Sequence, residues 1–481
     1  MRRAKIVATL GPATSSYENI RAIIDAGVDV ARMNLSHGSH AVHEEVYANV
    51  RKAAEDSGRA VAVMVDLQGP KIRLGKFEAG PYFLAVGDVF KITTDDVIGT
   101  KELSGTTFKG LPDDVARGDF LLIDDGKVKV VVTSVDGPVV TTEVVVAGEV
   151  SNNKGINLPG VAVNVPALSE KDEDDLRWGL RLGADFIALS FVRNEHDIVR
   201  VHEIMAEEGR KIPVIAKIEK PQAVDHLEAI IDAFDAIMVA RGDLGVELPL
   251  ERVPIVQKRT VELARRMAKP VIVATQMLES MISSPVPTRA ETSDVANAIL
   301  DGADAVMLSG ETSVGEYPVI TVQTMARIVA STEEQGLERI PPLGTKPRTQ
   351  GGAITLAAAE VADFVDAKYV CVFTESGDSA RRMSRLRVRI PMKAFTPDPA
   401  IRRRMALIWG IESFIVDRVS HTDAMYRQVD DVLLREGLVE IGDKVVVISG
   451  SPPGIPGGTN DMRVHVIGDA INAAAPAWAA D

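Results

Sequence analysis

Short apolar runs separated by Gly, Pro and Ser recur along most of the chain, and their lengths suit buried strands. Lys5 to Leu10 is the first; Gly11-Pro12 breaks it. Ser15 with Glu18 has capping-box spacing and predicts a helix reaching Ala26. Val28 to Asn34 predicts a second strand, His40 to Asp56 a helix, and Ala60 to Leu67 a third strand. This alternation is the rhythm of parallel α/β units. It stops from about Lys71 to Pro166, where Val and Thr alternate with period two and Asp125-Gly126 and Asp136-Gly137 mark turns. That stretch, under ~100 residues, reads as a compact β domain set into another domain.

After Ser169, a capping position, the alternation resumes. Strands are predicted at Asp185 to Phe191, Val214 to Glu219, Ala236 to Ala240, Val271 to Thr275 and Ala305 to Leu308. Helices fall between them, such as Asp225 to Ala233 and Leu250 to Ala268. With the three earlier strands the count is about eight, the number that closes a (β/α)8 barrel. Pro341 to Gly352 reads as a linker. Beyond it come helix Ala353 to Phe364, strands Tyr369 to Phe373, Met392 to Phe395, Phe414 to Val416 and Val445 to Ile448, and helices Pro399 to Trp409 and Asp423 to Glu436. The expected fold class is therefore α/β: a TIM barrel (1–70 and 167–343), an inserted small β-barrel lid (71–166), and a C-terminal α/β open-sheet domain (344–481).

The polar residues support closure of the barrel. At or just after the strand ends lie Thr9, Arg32 and Asn34, Asp66, Ser190, Lys217 and Glu219, Arg241 and Asp243, Thr275 and Gln276, Ser309 and Glu311. In a barrel these ends converge on the mouth where active sites of this fold sit. Composition narrows the partners. The 481 residues carry 54 basic and 68 acidic side chains, a net charge of −14, without a basic tail. That argues against nucleic acid and anionic membranes, which need a basic footprint. No run approaches the ~18–20 apolar residues of a membrane span, and Ile6 to Leu10 is too short for a signal core. The single cysteine, Cys371, lies in an apolar run and reads as a buried small hydrophobe. Together these point to the reducing cytoplasm.

The stretch Pro213 to Glu219 holds the sharpest chemistry. An apolar strand ends in Lys217 and Glu219, and period two aims both at one face. Glu219 and Asp243 end neighbouring strands, so they can share a hard cation, Mg²⁺ or Mn²⁺, that keeps open positions for substrate oxygens. No His or Cys cluster has zinc spacing. The glycines of Arg241-Gly242-Asp243-Leu244-Gly245 would let backbone N–H groups approach an anion in a nest-like turn. Lys217 could remain protonated and neutralise a transferring phosphoryl group, or form a Schiff base; the adjacent carboxylate favours the first. Arg32 and Arg73 are candidates for forked phosphate contacts. His37 reads as a loop or helix cap, with nucleotide contact as the alternative. The barrel alone also fits a Mg²⁺-dependent aldolase or lyase acting on oxoacid enolates, or a metabolite-sensing protein without catalysis.

Five motifs then resemble one family: RMNLSHG (Arg32 to Gly38), AKIEK (Ala216 to Lys220), MVARGDLGVE (Met238 to Glu247), VATQMLESMI (Val273 to Ile282) and PTRAETSDVANAILDGADAVMLSGET (Pro287 to Thr312) are similar to those of pyruvate kinases. The resemblance implies transfer of the phosphoryl group of phosphoenolpyruvate to ADP, giving ATP and pyruvate. By it Glu219 and Asp243 bind Mg²⁺, Lys217 and Arg32 meet the phosphoryl group, and Gly242, Asp243 and Thr275 contact the substrate, Thr275 lying on the proton route to the enolate. Arg73, Lys154, Asn34 and His37 fall at nucleotide-binding positions. It further implies a homotetramer and an allosteric phosphometabolite site at Thr374, Ser376, Gly377 and Ser379, a loop before an Arg-bearing helix, with Gly454 to Thr459 facing it.

One departure stands out. Many members of that family read Asp-Thr-Lys-Gly-Pro-Glu where this chain has Asp66-Leu67-Gln68-Gly69-Pro70-Lys71. The resemblance puts a K⁺ ion near Asn34, Ser36, Asp66 and the carbonyl of Leu67, with the Glu accompanying K⁺ dependence. Lys71 places an ammonium there instead, and the expectation is an enzyme that works without K⁺.

Overall fold

The computed structural model describes residues 2–161, 165–454 and 457–469. Eight parallel strands close into a barrel: Lys5–Thr9, Val30–Asn34, Ala62–Asp66, Phe186–Leu189, Val214–Ile218, Ala236–Ala240, Val271–Ala274 and Ala305–Leu308. Each pairs with its neighbours in chain order, and the first pairs with the eighth. Val214–Ile218 is thus the fifth barrel strand. Strand parity divides the core into two layers. Val7, Val30, Met64, Phe186, Ile215, Met238, Ile272 and Met307 fill the barrel interior. Ile6, Val65, Ile187, Ala216, Ile237, Val273 and Val306 face the surrounding helices. Residues two apart share a face. The inward columns therefore run on from Val7 to Thr9, Val30 to Arg32, Met64 to Asp66, Ala188 to Ser190, and Ile215 through Lys217 to Glu219.

The opposite end of the barrel is built for stability. Asp29, Asp185, Asp235 and Asp304 each immediately precede an even-numbered strand, the second, fourth, sixth and eighth. Each accepts the backbone N–H of the preceding odd-numbered strand: Ile6 N at 2.8 Å, Val63 N at 2.8 Å, Val214 N at 2.9 Å and Val271 N at 3.0 Å. Amides that begin the odd strands would otherwise lack a partner in the ladder. Ala406 and Leu407 of the C-terminal unit pack with the interior cluster and close this end.

The inserted unit holds a six-stranded sheet in the order Ile156–Asn157, Phe120–Ile123, Val128–Asp136, Val139–Val146, Val89–Thr93, Leu103–Gly105. Segment 72–75 joins its two edges. On one side Ile156 N bonds Ile72 O (2.9 Å) and Leu74 N bonds Lys154 O (2.8 Å); on the other Gly75 N bonds Gly105 O (2.8 Å) and Thr107 N bonds Arg73 O (3.0 Å). The sheet thereby rolls round its own core of Phe90, Leu121, Val130 and Val140.

The C-terminal sheet differs in detail from the sequence pattern. Its third strand in chain order lies at Ile411–Ile415, earlier than Phe414 to Val416, and a fifth strand, Thr459–Val466, pairs antiparallel with Lys444–Gly450. That edge strand carries Asp461, Arg463 and His465 among its apolar residues, so no apolar run marks it. Ser16, not Ser15, caps the first helix, accepting from Asn19 N at 3.2 Å. The predicted helix at Asp225 breaks at His226, and Pro399–Arg404 ends early in a 3-10 turn.

Burial alone would raise the Asp29 carboxyl, but the charges of Arg2, Lys5 and Arg59 and the Ile6 amide hold it below its ordinary value. A depressed carboxyl stabilises the fold above its unfolded pKa of about 3.9, and that contribution is lost as pH falls through the folded value. Asp29→Asn should therefore lower stability at pH 7 by about 1–3 kcal/mol in urea unfolding. The same variant should lose less stability than the wild type between pH 5 and 3.

Candidate active site

The inward columns bring four charges together at the barrel mouth. Asp66 Oδ2 accepts from Arg32 Nε at 2.6 Å, and Asp66 Oδ1 lies 3.3 Å from Lys217 Nζ. Lys217 Nζ also lies 2.9 Å from Glu219 Oε1 and donates to Ser190 Oγ at 2.8 Å. Ser190 passes the chain on, donating to Leu67 O at 2.7 Å, while Arg32 Nη1 reaches Thr9 Oγ1 at 2.9 Å. Asp66 and Glu219 side chains are each 1% exposed, so these ions depend on one another. Burial would lower the Lys217 ammonium, but Asp66 and Glu219 outweigh it and hold its pKa above the ordinary lysine value. Glu219 is pushed up by burial and by the negative charge of Asp243, against the pull of Lys217 and the Phe191 amide.

Two oxygens in this network, Asp66 Oδ1 and Glu219 Oε1, are buried without a hydrogen bond of good geometry. Glu219 Oε1 thus has a lone pair to give, Asp243 repels it, and a hard cation between the two carboxylates would relieve both conditions. Among the described residues no group of three His, Cys, Asp or Glu could form an all-protein cage. The donor set fits a cation that draws its remaining ligands from substrate and water.

The segment after the sixth strand corrects the nest-like turn expected there. Arg241–Glu247 is a helix, with Asp243 in its first turn. Arg241 donates to Thr275 O at 2.7 Å and pairs with Asp294 at 2.7 Å. Thr275 and Gln276 sit at φ 76° and 55°, and Phe191 at φ 55°. A β-branched residue in that region is a genuine outlier, and such outliers concentrate at functional sites. Phe191 uses the conformation to donate its amide to Glu219 Oε2 at 2.7 Å. The sequence carries no signal for these turns.

The positions expected to bind nucleotide and a monovalent cation divide between two cavities and the inserted unit. Arg32, Asn34 and His37 line a pocket of about 610 Å³ with Thr9, Pro12 and Ser313. His37 is exposed and Ser39 precedes the helix, so His37 is not its cap. A second cavity, between barrel and lid, is lined by Lys71, Asp125, Asn157, Phe191, Lys220 and Asp243. Lys71 is exposed there, and among the described residues its ammonium has no ion-pair partner. Of the other monovalent-cation positions, Asn34 Oδ1 accepts from Ser36 N at 3.2 Å, and Asp66 and Leu67 O have the partners given above. Arg73 and Lys154 lie on the lid, Arg73 donating to Asn153 O at 3.0 Å and Lys154 paired with Asp124 at 3.0 Å. Thr374, Ser376 and Ser379 line a third cavity with Gly454, Gly457 and Thr459; Gly377, at φ 80°, shapes the loop before helix Asp378–Ser384. Ile455 and Pro456 of the facing loop lie outside the described residues.

Gly242 and Thr275 touch so closely that a Cβ on Gly242 would fall 2.7 Å from Thr275 Cγ2. Gly242→Ala should cost about 1–3 kcal/mol of stability through this overpacking. Adding Thr275→Ser, which removes that methyl group, should restore most of the loss in thermal unfolding.

Comparison with known proteins matches this architecture over both parts of the chain. Residues 1–322 match the family model described as pyruvate kinase, barrel domain, and residues 352–465 match pyruvate kinase, alpha/beta domain. The pyruvate kinase of Mycobacterium intracellulare is 56% identical over 468 residues, 97% of this chain and 99% of the relative. That of Corynebacterium glutamicum is 56% identical over 97% of this chain and 98% of the relative. A crystal structure of a pyruvate kinase from Cryptosporidium parvum superposes with a TM-score of 0.90 at 35% identity, covering 97% of this chain and 96% of that one. On these grounds the chain belongs to the pyruvate kinase family.

Proposed function

We propose that the buried Arg32–Asp66–Lys217–Glu219 network, with Asp243 beside it, is where this family's reaction takes place. The enzyme is a phosphotransferase: it moves the phosphoryl group of phosphoenolpyruvate to ADP and depends on a divalent metal. The aldolase or lyase alternative is not favoured. A Schiff-base role would need a neutral Lys217, and the two carboxylates beside it keep it charged.

In this reading Mg²⁺ is the metal, held by Glu219 and Asp243; when bound it supplies charge neutralisation and a template for substrate oxygens. Arg32 and Lys217 bind and orient the phosphoryl group. Asp66 pairs with both cations and aims them at the mouth. The C–O–P link of phosphoenolpyruvate breaks at the P–O bond, and a terminal oxygen of ADP takes the phosphorus. The enolate left behind is protonated at carbon, with Thr275 on that route. Gly242 and Asp243 contact the carboxylate of the substrate. The large cavity beside Arg32 offers Asn34 and His37 to the nucleotide, while Arg73 and Lys154 approach it from the lid (71–166) over the barrel (1–70 and 167–343). Lid closure excludes water, so that transfer to ADP outruns hydrolysis.

K⁺ is not required in this reading. Its support is that Asp66 is already neutralised by Arg32 and Lys217, while Lys71 brings a further positive charge to the cleft. The C-terminal unit (344–481) would bind a phosphometabolite at Thr374, Ser376, Gly377 and Ser379, and the chain would assemble as a homotetramer. Among the described residues no helix is long and apolar enough to cross a membrane; a cytoplasmic setting is the corresponding proposal.

A coupled assay tests the centre of this reading: pyruvate should form from phosphoenolpyruvate only with ADP and Mg²⁺ present. Lys217→Met should lower kcat by about 10³-fold or more, as removing a preorganised transition-state charge does. Activity in K⁺- and Na⁺-free buffer should be close to that with K⁺; strong activation by added K⁺ would refute the role given to Lys71. Light scattering on the eluted protein checks the tetramer.

A further inference from the structure

Glu247 ends the helix that begins at Arg241 and carries Asp243. Its side chain is 2% exposed, and Oε1 accepts from two donors: Lys220 Nζ at 2.5 Å and Asn157 Nδ2 at 3.1 Å. Lys220 belongs to the barrel and directly follows Glu219. Asn157 belongs to the lid, in the short strand Ile156–Asn157. Between described residues, this is the one side-chain hydrogen bond from the lid strands to the barrel.

The contact leads straight to the metal-binding carboxylates. Lys220 Nζ lies 5.4 Å from the centroid of the Phe191 ring, and the Phe191 amide is the donor to Glu219. Glu247 is anchored at one end of a two-turn helix whose first turn holds Asp243. A lid residue, a buried carboxylate, a cation over an aromatic ring and both carboxylates of the site therefore form one contiguous set. A buried carboxylate needs more than one donor to offset its lost hydration, and charge-assisted hydrogen bonds are the strong ones. In this arrangement Asn157 completes the shell of Glu247; were the lid to lift, Glu247 would keep Lys220 and lose its donor from the lid.

We infer that Glu247 is a positioning residue that latches the lid through Asn157 and couples its closure to the helix carrying Asp243. The inference rests on the phosphoryl-transfer reading above and deepens it: the latch holds water out while ADP and phosphoenolpyruvate are both bound. Neither residue touches the reacting atoms, so their loss should show in binding and in leakage.

Asn157→Ala should raise the KM for ADP about tenfold, the equivalent of one charge-assisted hydrogen bond. It should also produce pyruvate in excess of ATP, because phosphoenolpyruvate is then hydrolysed behind an unlatched lid. Thermal stability should stay close to wild type. Asn157→Asp, which sets a like charge against Glu247, should be worse than Asn157→Ala on both readouts. In a double-mutant cycle, Asn157→Ala with Glu247→Gln should be no worse than the more damaged single variant. Should Glu247→Gln not fold, the two Asn157 variants still decide the matter. Additive effects in the cycle, or ATP that still matches pyruvate in both Asn157 variants, would overturn the latch. If the wild type itself shows no ADP-dependent turnover, the phosphoryl-transfer reading fails instead.

Discussion

The barrel mouth is governed by one electrostatic constraint: four ions share a space that water hardly reaches. Arg32 and Lys217 carry two positive charges, Asp66 and Glu219 two negative ones, and Asp66 contacts both cations. An isolated buried charge would cost several kcal/mol, so none of the four is tolerable alone. As a set they are neutral, and Asp243 tips the region to net negative. Under the proposed phosphoryl-transfer role, a divalent cation would sit between Glu219 and Asp243, and Arg32 and Lys217 would receive the phosphate. Asp66 pairs with both cations, so neither depends on a bound ligand for its counter-charge.

The same strands serve stability at one end and chemistry at the other, and strand parity is the reason. An inward column must be apolar where it crosses the barrel interior, which is packed with Ile215, Met64 and Met238. Two residues further on the column leaves the packed interior, and a polar side chain becomes affordable there. At the opposite end, Asp29, Asp185, Asp235 and Asp304 satisfy amides that the ladder leaves over, and the C-terminal unit seals the floor with Ala406 and Leu407. Mutations at the floor should thus act on stability and those at the mouth on turnover, as the fold's division of labour requires.

The barrel and the identity of its mouth residues were legible because both follow from period two and from where apolar runs stop. Lys217, Glu219, Arg32 and Asp66 could be read as strand-end groups without any partner in view. Their pairing could not. That Asp66 serves Arg32 and Lys217 together follows from three strands meeting across the barrel, and no local pattern encodes it. The Arg241–Glu247 helix was hidden by its two glycines, which lower helix propensity and read as a turn. The left-handed backbone at Phe191, Thr275 and Gln276 was invisible for a similar reason: none is a residue type that announces positive φ. The last strand of the C-terminal sheet escaped because an edge strand need not be apolar.

Those left-handed residues fix the backbone where the strands end at the mouth. Each costs about 1–3 kcal/mol and persists only where the surroundings over-determine it. Phe191 is held by the hydrogen bond its backbone N–H donates to Glu219, and Thr275 by the one its carbonyl accepts from Arg241, itself fixed by Asp294. The strain is thus borne by strand ends already locked in the barrel, where neighbours cannot relax it. The inserted unit is built differently: its core of Phe90, Leu121, Val130 and Val140 is its own, and from it Asn157 donates to Glu247 of the barrel. The hydrogen bond from Asn157 to Glu247 crosses that division and ends on the helix that carries Asp243. The cover needs a signal of its own that it has closed, and the buried carboxylate of Glu247 is placed to provide one.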